Sequence, residues 1–475
     1  MMIEALIAVC LLGSAVAFLA PDEYAGRAAF LASLLPVAGS VWMYSAFEHV
    51  GNALTTDEDL LYETTAEWAS YGQYSLNWHV GLDGISLPLV VLTTVLTTLA
   101  IVSAWTPIDE RQSQFYGLVL FLEAGLIGVF TALDFFVWFV FWEAVLVPMY
   151  LLIGVWGGPR RKYAAIKMFV YTNVASLVMF IGFVALVLGL DVTTFDMQAV
   201  TTALRNDAFV EGYVLLDLVG ADTLKLTAFA AMFFGFAVKV PVVPLHTWLP
   251  DAHVEAPTPV SVMLAGVLLK MGTYALLRFN FTMLPDVAQQ NAQLIALFAV
   301  ISVIYGAMLA LAQSDLKRIV AYSSVSSMGY VILGLVAYTV YGMGGATFQM
   351  VAHGLISGLM FMAVGVIYNT THTRMVSDMS GLASKMPFTV AVFVAGAFGY
   401  MGLPLMAGFA AELFIFLGSF ELETDYEVGP AAFHDVAPLV VLILLVVLLG
   451  VDPNIFYGMI QDAVNPVAEA AGGGA

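Results

Sequence analysis

Runs of apolar residues, each long enough at roughly 20 residues to cross a bilayer as a helix, follow one another along most of this chain. Thirteen such runs begin near Ile3, Ala28, Ile85, Phe115, Phe135, Ile166, Leu224, Pro259, Asn291, Ile319, Gly344, Phe388 and Val436. The pattern predicts an all-α polytopic membrane protein. The first run opens with Glu4 as its only early charge and leads directly into further spans. That lacks the basic start of a cleavable signal peptide, so the run is expected to remain a helix.

Composition agrees: 61% of the residues are hydrophobic and 11% charged, where globular domains carry about a quarter charged residues. Fifteen Lys and Arg against 35 Asp and Glu leave a net charge of −20. The acids gather in "TTDEDLLYETTAEW" (Thr55 to Trp68), between Asp191 and Asp222, and in "ELETDYEV" (Glu421 to Val428). Such a surface repels nucleic acid. It fits either a proteome adapted to high salt or simply well-solvated loops. The single cysteine, Cys10, offers neither a disulfide framework nor the thiolate set that an iron–sulfur centre or structural zinc requires.

Orientation follows from the basic residues, because short cytoplasmic loops are enriched in Lys and Arg. Arg27, Arg111, the run Arg160, Arg161 and Lys162, then Lys317 and Arg318, and finally Arg374 and Lys385 fall after spans one, three, five, nine and eleven. These loops are expected in the cytoplasm. The N-terminus and the long acidic loops at 48 to 78 and 191 to 223 are then expected outside.

Six charged or titratable residues remain inside spans: Glu123, Glu143, Lys239, Lys270, His353 and Glu412. A charge at the bilayer centre costs at least about 2.5 to 3.5 kcal/mol, so such residues usually face the protein interior, pair, and mark ion paths. An ion pair that merely fixes helix packing would explain any one of them. Six on separate helices, acids and bases together, point to a path. Protons suit this set. A buried lysine beside a movable carboxylate can hold or release a proton near neutral pH, which an arginine cannot do, and histidine is a natural intermediate carrier.

Prolines add a second signal. Proline inside a helix removes a backbone hydrogen bond, and irregular backbone at membrane depth survives only where it lines a cavity or is buried in protein. Pro241 and Pro244 are expected to break the seventh span just beyond Lys239, and Gly402, Pro404 and Gly408 the twelfth shortly before Glu412. Interrupted helices in corresponding halves mark inverted-repeat transporters, whose ion sites lie at the breaks.

Other motifs carry less. "GMGGA" (Gly342 to Ala346) lacks the preceding strand of a nucleotide loop and reads as a small-residue helix start. His246, Asp251 and His253 read as a proton entry or a packed, hydrogen-bonded loop at a cytoplasmic helix end, in preference to a metal site. His372 and His434 read as solvated. "QSDLKRIVAYSS" (Gln313 to Ser324) reads as a capped helix start with Asp315 near its N-terminus.

Four stretches carry a family resemblance: "DGISLPLVVLT" (Asp83 to Thr93), "FWEAVLVPMYLLIGVWGGPRRKYAAIKMF" (Phe141 to Phe169), "KVPVVPLHTWLPDAHVEAPTPVSVMLAGVLLKMGTYALLRF" (Lys239 to Phe279) and "SDLKRIVAYSSVSSMGY" (Ser314 to Tyr330). They resemble subunit M of proton-pumping NADH:quinone oxidoreductase, respiratory complex I, over nearly the whole chain. The resemblance implies two inverted antiporter-like repeats of five helices joined by a hydrophilic axis across the membrane centre. Helices 1 to 3 would occupy 1–110, the first repeat 111–282, the second 283–420, and an acidic loop with a C-terminal helix 421–475. By the same resemblance Glu143 matches the glutamate of helix five, Lys239 the central lysine of broken helix seven, and Lys270 the lysine of helix eight. His353 matches the histidine of helix eleven, Glu412 the glutamate of broken helix twelve, and Glu123 an additional acid on helix four. Two departures stand out. Ser327 occupies a place in "SSVSSMGY" where members commonly carry histidine, and the expected thirteenth of the family's fourteen helices is missing between Phe420 and the last apolar run. By parity the C-terminus is then expected in the cytoplasm, and the second repeat lacks its fifth helix.

The resemblance implies a non-redox membrane subunit of a prokaryotic plasma-membrane complex that couples quinone reduction elsewhere to proton transfer, with neighbouring antiporter-like subunits as partners. Quinone, flavin and iron–sulfur centres would sit on those partners, and neither cofactor nor metal on this chain. A subunit of a multi-subunit sodium/proton antiporter shares the fold and the Lys/Glu set. A third possibility is a subunit kept for assembly, with transport disabled by the missing helix.

Overall fold

The computed structural model describes residues 1–48, 51–56, 60–210, 220–421, 461 and 464–466. Two helices, α1 (Met2–Leu19) and α2 (Asp22–Ser45), lead into a hairpin of β1 (Leu61–Tyr71) and β2 (Tyr74–Leu82). After it come α3 (Ser86–Ser103), α4 (Gln112–Thr131), α5 (Phe135–Ala144), α6 (Leu146–Trp156), α7 (Arg161–Gly189) and the short α8 (Met197–Arg205). The chain continues through α9 (Ala221–Lys239), α10 (Trp248–Glu255), α11 (Thr258–Thr282) and α12 (Pro285–Gln290). The last elements are α13 (Ala292–Leu311), α14 (Leu316–Val336), α15 (Val340–Thr371), α16 (Pro387–Tyr400) and α17 (Ala407–Glu421). Among the described residues eleven helical spans, α5 and α6 counted as one, are long and apolar enough to cross a membrane. They correspond to the first eleven runs of the sequence. The shorter α16 and α17 form the interrupted twelfth, and the run from Val436, His434 and most of the acidic stretch after Phe420 lie outside the described residues.

Local chemistry sets the helix starts. Asp134, Asp196 and Asp315 accept backbone N–H groups at the starts of α5, α8 and α14, the Asp315 carboxylate taking Lys317 N at 2.9 Å. Thr339 does the same for α15 through Gly342 N at 3.0 Å. Each side chain satisfies donors that a helix start leaves without partners. The "GMGGA" stretch therefore lies in the first turns of α15, as its small residues predict.

The long joint expected as solvated loop at 48 to 78 instead forms most of an antiparallel hairpin. Its turn at Gly72 takes φ +62, a left-handed conformation that favours glycine. Strand formers such as Thr64, Thr65, Trp68, Tyr71, Tyr74 and Trp78 outweigh the scattered acids. The hairpin is tied to the helical body through Ser75 N to Thr193 O at 2.8 Å and Leu133 N to His79 O at 2.8 Å. His79 is buried in β2, with Nε2 2.8 Å from Glu63 of β1 and Nδ1 against Asp196 at the start of α8.

The two ends of the helical body differ chemically. At one end Arg160 N meets Glu255 Oε2 at 2.8 Å, Lys167 meets Asp251 at 2.8 Å, Arg318 meets Asp251 at 3.3 Å, and Arg374 meets Asp315 at 2.6 Å. At the other end lie the hairpin and the acidic segment leading to α8. Basic residues of three joints, Arg160, Arg318 and Arg374, thus lie at one end of the body.

At the centre is α11, every residue of which is buried. Two of its turns, Leu264–Leu268 and Leu276–Thr282, are π-helical and flank Lys270. Such turns often mark functional places in a helix.

The hairpin anchor gives a pH dependence. Burial alone would lower the proton affinity of His79; hydrogen bonds and charge from Asp196 and Glu63 outweigh it and raise the imidazole above its ordinary 6.5. A group whose folded pKa is raised stabilises fully below the unfolded value and loses that contribution as pH rises through the folded one. Hydrogen exchange over 61–82, corrected for intrinsic rates, is expected to accelerate as pH climbs above 6.5. In His79→Asn it should be fast throughout and lose this pH dependence.

Candidate functional site

The break beyond Lys239 places the first charged side chain. α9 ends at Lys239, Pro241 and Pro244 cannot donate, and helix resumes with a turn at Leu245–Thr247 followed by α10. The freed backbone finds new partners. Trp248 Nε1 donates to Val238 O at 2.8 Å, and Val243 N donates to Ser302 Oγ of α13 at 3.0 Å. Irregular backbone is tolerated at this depth on that condition.

Lys239 is 2% exposed, and its ammonium sits 3.9 Å from the ring centroid of Trp142 on α5. A cation on an aromatic face in such a dry place gains about 2 kcal/mol. Glu143, the next residue, receives Asn173 Nδ2 of α7 at 3.1 Å. The expected glutamate–lysine partners are therefore neighbours without a direct ion pair among the described contacts: the lysine rests on tryptophan and the glutamate on asparagine.

Lys270 on α11 is enclosed completely and donates to Ala265 O at 2.6 Å, a carbonyl within the π turn below it. It also lies 2.5 Å from His353 Nδ1 of α15. The His353 ring continues to Tyr400 of α16, centroids 5.8 Å apart. Tyr400, Ser323, Ser327, Tyr330 and Glu412 line a cavity of about 410 Å³ next to α14. Gly402, at φ +61, lets Glu412 approach; a Cβ there would lie 2.5 Å from its Oε2. Ser327 thus places a hydroxyl where a histidine relay was the alternative.

Glu143, Lys239, Lys270, His353 and Glu412 lie in chain order on α5, α9, α11, α15 and α17: the helices of Glu143, Lys239 and Glu412 adjoin breaks, that of Lys270 carries π turns, and α15 is continuous. Lys239 Nζ, Glu143 Oε1 and His353 Nε2 are buried without a protein hydrogen-bond partner. Buried polar atoms are otherwise nearly always paired, and groups that exchange protons are one reason for an exception. Glu123 stands apart: it is buried on α4 and interacts with Cys10 of α1. His246, Asp251 and His253 do not converge. His246 meets Tyr305 and Tyr322, Asp251 holds Lys167 and Arg318, and His253 stacks on Phe361 at 4.5 Å. His372 is exposed, as expected.

Sequence reasoning missed Trp142, Asn173 and Tyr400. Trp142 adjoins Glu143 in the chain and was visible only as one more apolar residue. Tyr400 directly precedes the break of the twelfth span, a place where a phenol is a signal.

The site and its scaffold define an antiporter-like ion-path protein of the membrane. A family model for the transmembrane domain of NADH:quinone oxidoreductase and Mrp antiporter proteins matches residues 132–430. An NAD(P)H-quinone oxidoreductase chain 4 from Nostoc sp. is 39% identical over 467 residues, 98% of this chain and 82% of that one. The chain belongs to the NADH:quinone oxidoreductase/Mrp antiporter transmembrane family. Among solved structures, a chain of respiratory complex I from Thermus thermophilus matches with a TM-score of 0.80 and 25% identity, covering 100% of both chains. A chain of the Mrp complex from Dietzia sp. shares the fold, with a TM-score of 0.73 and 21% identity over 96% of this chain and 79% of that one.

Replacing Trp142 tests the cation's seat. Trp142→Leu is expected to lower proton uptake by vesicles holding the assembled protein by up to about thirtyfold, the equivalent of losing about 2 kcal/mol. Trp142→Phe, which keeps an aromatic face, should retain most of it.

Proposed function

We propose that this chain is a proton-translocating membrane subunit of a complex I type quinone oxidoreductase, coupling quinone reduction on partner subunits to proton transfer through Glu143, Lys239, Lys270, His353 and Glu412. The observation that carries this reading is the set of buried Lys239, Lys270 and His353 with partly buried Glu143 and Glu412 on helices inside the membrane body, in a chain similar over 98% of its length to an oxidoreductase chain 4. Lysine and histidine exchange protons and do not bind sodium, so the set suits protons as cargo. A charge displaced near Glu143 changes the field at Lys239 and so its hold on a proton.

In this reading the basic face of Arg160, Arg318 and Arg374 is cytoplasmic, the hairpin and the N-terminus lie outside, and the membrane is the plasma membrane of a prokaryote. Flavin, iron–sulfur and quinone sites belong to the partners, and none is needed on this chain. A subunit of a multi-subunit sodium/proton antiporter is the second reading, favoured by the shared fold of the Mrp chain. The higher identity to the oxidoreductase relative, 39% against 21%, supports the first.

The test is proton uptake into inverted membrane vesicles driven by quinone reduction, with sodium dependence followed in parallel. Lys239→Ala is expected to abolish or severely reduce uptake while the complex remains assembled, and Glu143→Gln to do nearly the same. Full uptake in Lys239→Ala refutes the central lysine's role. Lysine-dependent sodium/proton exchange without redox dependence moves the protein to the antiporter class.

A further inference from the structure

The polar character of α11 does not end at Lys270. Tyr274 and Arg278 follow at spacings of four, which places side chains in register along one side of a helix, and Arg278 lies about 12 Å along the axis from Lys270. The guanidinium carbon of Arg278 stands 5.0 Å from the Tyr274 ring centroid. Tyr274 donates its hydroxyl to Phe130 O at the end of α4, 3.1 Å away. A polar side of the helix therefore runs from the Lys270–His353 contact toward the hairpin end of the protein. Left open, it would be a route for protons to slip between the site and that face.

Arg278 closes this side. It is 1% exposed; its Nη2 donates to Asp83 Oδ1 at 2.6 Å and its Nη1 to Asn52 Oδ1 at 3.3 Å. Asp83, fully buried between β2 and α3, also accepts Ala53 N at 2.9 Å, Ile85 N and Ser86 N at 3.0 Å, and Ser86 Oγ at 3.1 Å. Four of these donors crowd Oδ1 and one takes Oδ2. Neither partner is fit to pass a proton: guanidinium does not deprotonate in proteins, and this carboxylate is committed to five donors. A fixed cation across a narrow polar route is also how membrane channels exclude protons.

We propose that the Arg278–Asp83 pair, braced by Asn52, is a charge plug that shuts the hairpin-side end of the α11 polar face, so that protons held at Lys270 and His353 exchange only in other directions. The plug rests on the proton-translocating reading and adds a leak-preventing part to it. Burial pushes the Asp83 carboxyl up, but Arg278 and the backbone donors outweigh it and hold the group below its ordinary 3.8. It therefore stays ionised, and the pair stays closed, across the physiological range.

The experiment uses the whole purified complex in proteoliposomes. Passive proton entry under an imposed potassium diffusion potential is read with an entrapped pH dye, first without electron donor, then during quinone reduction. Arg278→Gln combined with Asp83→Asn keeps shape and polarity without charge. It is expected to leak several-fold faster than the native complex and to retain quinone reduction while taking up fewer protons per quinone. Arg278→Lys keeps a cation that can lose its proton, so its leak should grow as pH rises. A pair that only fastens α11 would lower thermal stability and leave passive entry unchanged; native-level tightness of the double variant in assembled complex, or of Arg278→Lys at every pH, overturns the plug. A native complex that reduces quinone without moving protons would instead refute the underlying reading, an outcome separate from the leak.

Discussion

A backbone that stops being helical inside a membrane must find a partner for every amide it frees, and the site depends on how this chain meets that demand beyond Lys239. Two prolines end α9, and the Trp248 indole and the Ser302 hydroxyl take up the backbone groups left over. The same Trp248 starts α10, so the residue that repairs the break also restarts the helix. Because the repair is made by protein and not by lipid, the break is confined to the interior. Lys239, the last residue of α9, is confined with it. Trp142 then offers the ammonium the face of an aromatic ring where water would otherwise be needed.

What could be read from the residues follows the strength of the underlying physics. Burying a charge in hydrocarbon is so costly that Glu143, Lys239, Lys270, His353 and Glu412 stood out in the sequence, and the structure brings two of them, Lys270 and His353, into direct contact. Proline chemistry likewise disclosed both interruptions. Weaker or non-local effects stayed hidden. The strand formers of 61–82 were masked by their acids, although Gly72 between two tyrosines is a turn signal. The π turns of α11 depend on packing around the helix and leave no mark in the sequence. That Lys239 rests on Trp142 while Glu143 turns to Asn173 is set by how α5, α7 and α9 approach one another, which no single stretch encodes. Glu123 shows the limit of the burial argument: its cost is the same as for the others, yet it lies beside Cys10, apart from them.

The two faces of the molecule are built differently. On the basic face, ion pairs such as Arg374–Asp315 and Lys167–Asp251 knit the joints between helices to one another. On the opposite face a sheet, the two capping aspartates Asp134 and Asp196 and a histidine between two carboxylates do that work with fewer fixed positive charges. The asymmetry gives the protein a direction before any partner is considered.

The complete enclosure of α11 bears on how the protein is made. Its Lys270 and Arg278 each cost about 2.5 to 3.5 kcal/mol on entering a bilayer as an isolated segment. The counter-charge Asp83 is already synthesised when α11 emerges, whereas His353 is still some seventy residues from the end of the helix. During biogenesis the arginine can thus be neutralised at once while the lysine waits. The central helix of the finished protein is the one that must be sheltered by its earlier neighbours, and its place is settled only when α15 arrives to close the far side.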